Sequence, residues 1–77
     1  KAFLCEKLQD IFGNIMGFDK GQLSIQEGFS EQGADSLMIF SMNAAVNQLL
    51  GLNLTVSVFF EYPSITKLAD YLLKELL

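Results

Sequence analysis

Large apolar side chains recur at helical spacing near both ends of this chain, and no stretch alternates long enough to build a paired strand. Leu4, Leu8, Ile11 and Ile15 are separated by four, three and four residues, which lines them up along one side of an α-helix. Glu6, Lys7, Asp10 and Asn14 fall largely on the other side. The pattern returns with Ile65, Leu68, Ala69, Leu72, Leu73 and Leu76, behind Ser64 as an N-cap. Between these ends a helix is expected over Ser36 to Leu50, closed by Gly51, because glycine readily takes the left-handed conformation at a helix end. "TVSVFFEYP" has strand-favouring residues, but it is short, lacks a partner strand and is closed by Pro63, so a short third helix is predicted there. The expected fold is all-α: a small four-helix bundle of three main helices plus the short third one, with a long loop between helices 1 and 2.

That loop, "GFDKGQLSIQEGFSEQGAD", is nineteen residues long with four glycines and no sustained period. Structureless loops of this length are uncommon in compact domains unless they are functional or carry their own anchors. Leu23, Ile25 and Phe29 are the expected anchors.

Size and charge exclude several classes of function. Seventy-seven residues, 51% of them hydrophobic, make one small domain; a domain of this size buries about 60% of its unfolded surface, leaving little room for a cleft. No apolar run approaches the roughly 20 residues of a membrane helix, so no membrane partner and a soluble, cytoplasmic domain are expected. Cys5 is the only cysteine, which leaves no internal disulfide and suits a reducing compartment. Five lysines, no arginine and nine acids give a net charge of −4, a balance that repels phosphate backbones and speaks against nucleic acid. Because the chain begins with Lys1 and not methionine, residues 1–77 are expected to be one domain excised from something longer.

The stretch "EQGADSLMIF", Glu31 to Phe40, sets a serine between an acid and a run of large apolar side chains. Ser36 is expected to cap helix 2 through its hydroxyl. As a nucleophile it would need a general base, yet the chain has no histidine and its lysines lie far off in sequence. Metal chemistry is equally unsupported, since one cysteine and scattered acids, including those around "DKGQLS", match no zinc or calcium spacing. No catalytic residue and no metal site are expected.

"GADSL", Gly33 to Leu37, preceded by Phe29 and followed by a helix of fifteen residues, resembles the attachment motif of acyl carrier proteins. "VFFEYPSITKLADYL", Val58 to Leu72, is similar to the second signature of carrier domains in modular polyketide synthases. The resemblance covers nearly the whole chain, helix 1 matching in pattern more than in letters. It implies that Ser36 receives a covalent 4'-phosphopantetheine arm, taken from coenzyme A by a phosphopantetheinyl transferase that needs magnesium. It implies further that the distal thiol carries acyl or polyketide intermediates as thioesters to ketosynthase, acyltransferase and other synthase domains, and that the isolated domain is a monomer. Asp35 would lie near the transferase's metal, Gly33 would allow the tight turn before the helix, and Leu37 would sit on the rim that partners grip. A phosphodiester at a helix start is favoured by the unpaired N–H groups and the helix dipole.

Helix 2 departs from the commoner carrier pattern, because no charged residue occurs from Ser36 to Leu54 and Ser41 stands where a glutamate is usual. At about 100° per residue, Met38, Ile39, Met42, Ala45, Val46, Leu49 and Leu50 form a wide apolar arc and Leu37, Phe40 and Ala44 a narrower one. Ser36, Asn43 and Asn47 make one polar seam between them; Ser41 and Gln48 make the other. A small bundle needs one core-facing stripe, so the narrow arc is expected to be exposed and, with Leu37, Phe40, Ser41, Ala44 and Gln48, to bind partners. The competing arrangement buries both arcs against the long loop. Met38 and Met42 are expected as core filler, Cys5 on an apolar edge of helix 1, and Tyr62 and Pro63 at the start of the last helix. Two other functions stay open: a peptidyl carrier domain of a nonribosomal synthetase, against which Ala34 and Asp35 speak, and an unmodified helical interaction module. The place six residues after the serine, tryptophan in carriers that serve β-branching, is Met42 here, which speaks against that specialised role.

Overall fold

The structure, a computed structural model, describes residues 2–19 and 22–76. Its elements are α1 (Ala2–Met16), α2 (Ser36–Leu50), α3 (Ser57–Glu61) and α4 (Ile65–Tyr71), which runs on into a π-helical turn, Leu72–Leu76. No strand occurs among the described residues. The four-helix expectation holds, with α2 at the bounds read from the sequence. The π turn is a departure: the helix widens after Tyr71, and Leu73, Lys74 and Glu75 are exposed while Leu72 stays in the core. Leu73 therefore leaves the apolar stripe it was expected to join; the side chain of Leu76 lies outside the described residues.

The buried face of α1 is made by Leu4, Cys5, Leu8, Phe12 and Gly13, rotated from the expected stripe. Ile11 and Ile15 are only partly buried on its flank, and Cys5 lies in the core and not on an edge. The rotation follows from Phe12, whose ring meets Phe29 edge-on at 5.5 Å and 85° and Phe59 at 5.9 Å. Phe29 and Phe59 are themselves 5.8 Å apart. Three rings from α1, the long loop and α3 thus close into a triangle, each pair adding about 0.5–1.5 kcal/mol beyond the area it buries.

The loop carries the anchors its length called for. Leu23 and Phe29 are buried, and Ile25 packs against the core. Polar side chains brace the backbone: Gln9 Nε2 donates to the Leu23 carbonyl at 2.6 Å, and Gln32 accepts from Ser24 N–H at 2.7 Å while donating to the carbonyls of Ser24 and Glu27 at 2.9 and 3.1 Å. The loop is also tied to the last helix, through Phe29 N–H to the Pro63 carbonyl (2.8 Å) and Thr66 N–H to the Ile25 carbonyl (2.9 Å).

On α2, Ile39, Met42 and Val46 are buried. Met38 and Leu50 pack partly against the core. Leu49, expected in the same arc, is exposed, one turn beyond Val46, the last fully buried residue of the helix. Tyr62 is half-buried and stacks on Tyr71 at 4.5 Å.

Candidate functional site at the start of α2

Gly33, at φ 102°, takes a left-handed turn that residues with a Cβ rarely adopt, and the chain then extends at Asp35, φ −104° and ψ −179°. Asp35 is the N-cap. Its Oδ1 accepts from Met38 N–H at 2.9 Å and its carbonyl accepts from Ile39 N–H at 3.0 Å. The expectation that Ser36 caps the helix is thereby corrected: the cap must stand one residue earlier, in extended backbone, for its side chain to reach back to the third N–H. Ser36 is the first helical residue and is exposed, and its hydroxyl makes no hydrogen bond among the described residues. By helix geometry the N–H groups of the first turn have no intrahelical acceptor, and Asp35 Oδ1 occupies only that of Met38. An anion on Ser36 Oγ would meet the positive end of the helix dipole, with the Asp35 carboxylate turned onto the backbone.

The narrow arc of α2 is solvent-facing. Leu37 is 75% and Phe40 56% exposed, and Ser41, Ala44 and Gln48 are exposed as well, so the arrangement that buries both arcs does not occur. With no ionisable side chain between Ser36 and Leu54, this face is uncharged. Phe60 on α3 is 62% exposed, an apolar surface residue that sequence reading did not single out.

The opposite seam does structural work that was not foreseen. Asn43 Nδ2 and Asn47 Nδ2 both donate to the Leu54 carbonyl at 3.0 Å, and Leu54 N–H donates to Asn47 Oδ1 at 2.7 Å. Two asparagines four residues apart, just before a glycine that ends a helix, were the available signal for a side-chain clamp on the following segment. Asn43 Oδ1 is enclosed and has no partner among the described residues.

These features, a small helical bundle with an exposed serine opening its second helix, define a carrier domain. Residues 6–72 match the phosphopantetheine attachment site family, and the chain belongs to it. Members carry a covalently attached 4'-phosphopantetheine and are non-catalytic carriers. Among similar proteins, a phenolphthiocerol/phthiocerol polyketide synthase polypeptide of Mycobacterium tuberculosis is 45% identical over 73 residues, which is 94% of this chain and 5% of the relative. Gramicidin S synthase 2 of Brevibacillus brevis is 33% identical over 66 residues, 86% of this chain and 1% of the relative. Among solved structures, a free-standing peptidyl carrier protein from Acinetobacter baumannii superposes with a TM-score of 0.92 at 25% identity, covering 99% of this chain and 95% of that one. The A1-type ACP domain from module 5 of MLSA1 gives a TM-score of 0.86 at 25% identity, covering 99% and 77%. Carrier domains of synthases interact with other synthase domains. No helix among the described residues is long and apolar enough to cross a membrane.

Proposed function

We propose that this chain is an acyl carrier domain of a polyketide synthase and that Ser36 is its attachment residue. The observation that carries the reading is the Asp35–Ser36 pair at the start of α2. Asp35 caps the helix, which leaves the neighbouring hydroxyl exposed and unbonded, with helix N–H groups beside it. In the transfer reaction Ser36 Oγ forms the new bond to phosphorus, its proton passes to a base of the phosphopantetheinyl transferase, and the nucleotide part of coenzyme A leaves. Once attached, the arm supplies a thiol on which acyl intermediates ride as thioesters. α2 itself has no ionisable side chain, and the neighbouring Asp35 carboxylate accepts from Met38 N–H.

The partners proposed are the transferase, then ketosynthase, acyltransferase and other domains of a cytoplasmic synthase in which this monomeric unit, residues 1–77, is one carrier domain. The 45% identity to a polyketide synthase polypeptide supports that setting. Leu37, Phe40, Ser41, Ala44 and Gln48 form the proposed docking face, supported by their common exposure on α2. Asp35, beyond its capping role, is proposed to face the transferase's metal.

A peptidyl carrier is the second reading, favoured by the similarity to gramicidin S synthase 2 and by the superposition on a peptidyl carrier protein. Loading the phosphopantetheinylated domain in parallel with a malonyl-transferring acyltransferase and an amino-acid-activating adenylation domain separates the two. The acyl reading expects acylation by the first only; aminoacylation alone overturns it.

A further inference from the structure

Gln32 is a half-buried residue shortly before Ser36 in the chain. Its Oε1 accepts from Ser24 N–H at 2.7 Å, and its Nε2 donates to the carbonyls of Ser24 and Glu27 at 2.9 and 3.1 Å. The side-chain amide thus pairs with both backbone groups of Ser24, as a neighbouring strand would. The segment it grips is fastened to two helices. On one side of Ser24 is Leu23, buried in the core, whose carbonyl accepts from Gln9 of α1 at 2.6 Å. On the other is Ile25, whose carbonyl accepts from Thr66 N–H of α4 at 2.9 Å.

After Gln32 the chain turns directly into the attachment residue. Gly33 takes its left-handed conformation at φ 102°, with its N–H donating to the Ser30 carbonyl at 3.1 Å, and Ala34 N–H donates to the Phe29 carbonyl at 3.0 Å. Asp35 then caps α2 and Ser36 begins it. Gln32 therefore joins the anchored part of the loop to the turn that presents Ser36.

We propose that Gln32 is a positioning residue for phosphopantetheinyl transfer: by tying the Gly33 turn to Ser24, it holds the start of α2 in the conformation that the transferase accepts. It acts through the turn and not on the reacting atoms. When a partner binds one conformer, the apparent affinity falls in proportion to the fraction of chains in that conformer. Loosening the turn therefore raises KM for the carrier and leaves kcat, which is set in the bound state, unchanged. The inference rests on Ser36 being the attachment residue, so the experiment first establishes loading of the wild-type chain, by intact mass.

Gln32→Met keeps the length of the side chain and removes its three hydrogen bonds. Transfer kinetics are measured well below the unfolding midpoints of both proteins, where a residue that only stabilised the fold would leave them unchanged. KM for the carrier should rise about threefold or more with kcat held. By NMR the Gly33 and Ala34 amides, which do not bond the Gln32 side chain, should exchange faster with solvent, while the Leu68 amide, bonded to the Ser64 carbonyl in α4, keeps its wild-type rate. An unchanged KM, or wild-type exchange at Gly33 and Ala34, overturns the proposal. If Gln32→Met does not fold, native-state exchange of the wild-type chain decides: Ser24, Gly33 and Ala34 should open together with one free energy, and opening of Gly33 and Ala34 while Ser24 stays protected overturns it. A wild-type chain that does not load strikes the assignment of Ser36 instead.

Discussion

The backbone N–H of Phe29 donates to the carbonyl oxygen of Pro63 at 2.8 Å, joining the approach to the Ser36 turn with the start of the last helix. The two stretches that resemble carrier signatures are thus one physical unit, stapled by this bond and by the contact of the Phe29 and Phe59 rings. Because the bond uses the carbonyl and not the ring of Pro63, Pro63→Ala should preserve it. The expected cost is about 1 kcal/mol or less, from greater freedom of the unfolded chain, and the Phe29 amide should remain slow in hydrogen exchange. Rapid exchange of Phe29 in the variant would show that the ring itself holds the junction.

Asp35 is assigned two roles that one pair of variants separates. Asn caps helices about as well as Asp, so Asp35→Asn should unfold close to the wild-type midpoint, whereas Asp35→Ala should lose about 0.5–2 kcal/mol. If the carboxylate also faces the transferase's metal, both variants should load more slowly. Normal loading of Asp35→Asn would leave Asp35 as a cap alone.

Leu72 is fully buried at the point where α4 passes into the π turn. Leu72→Ala should cost about 2–5 kcal/mol, a large share of the 5–15 kcal/mol typical of whole domains. Thermal unfolding measures this directly, and a wild-type midpoint would place Leu72 outside the core.

The bounds of α2 and the start of α4 were legible because local signals mark them: apolar period, Ser64 as a cap, and Gly51. What was not legible depends on partners distant in sequence. Ile11 and Ile15 fit the ideal stripe of α1 as well as any residue, but Phe12 takes the centre because Phe29 and Phe59 come to meet it. Asp35 and Ser36 are both good caps, and only the extended backbone at Asp35 decides between them. Gln9 and Gln32 give no periodic signal, since their work is to satisfy loop carbonyls. The π turn at Leu72–Leu76 follows no pattern in the residues that form it.

Phe40 tests the docking face. At 56% exposure its truncation should change stability by no more than about 0.5 kcal/mol, while an apolar contact central to an interface is worth about 2 kcal/mol, or roughly 30-fold in affinity. Transfer by a partner enzyme should therefore slow in Phe40→Ala without early unfolding. Its salt dependence should also be shallow, since the face has no charges to be screened over the Debye length of about 8–10 Å. Steep salt dependence with an unimpaired Phe40→Ala would move recognition to the acids outside α2, Glu31 and Glu61 among them.

Ser36 as the point of attachment is tested most directly by intact mass after incubation with coenzyme A, magnesium and a promiscuous phosphopantetheinyl transferase. The wild-type chain should gain one phosphopantetheine, mapped to Ser36 by fragmentation. Ser36→Ala should gain none while keeping its fold, because the cap belongs to Asp35 and alanine suits the first turn of a helix. A folded Ser36→Ala that still loads, or a wild-type chain that does not, would contradict the assignment.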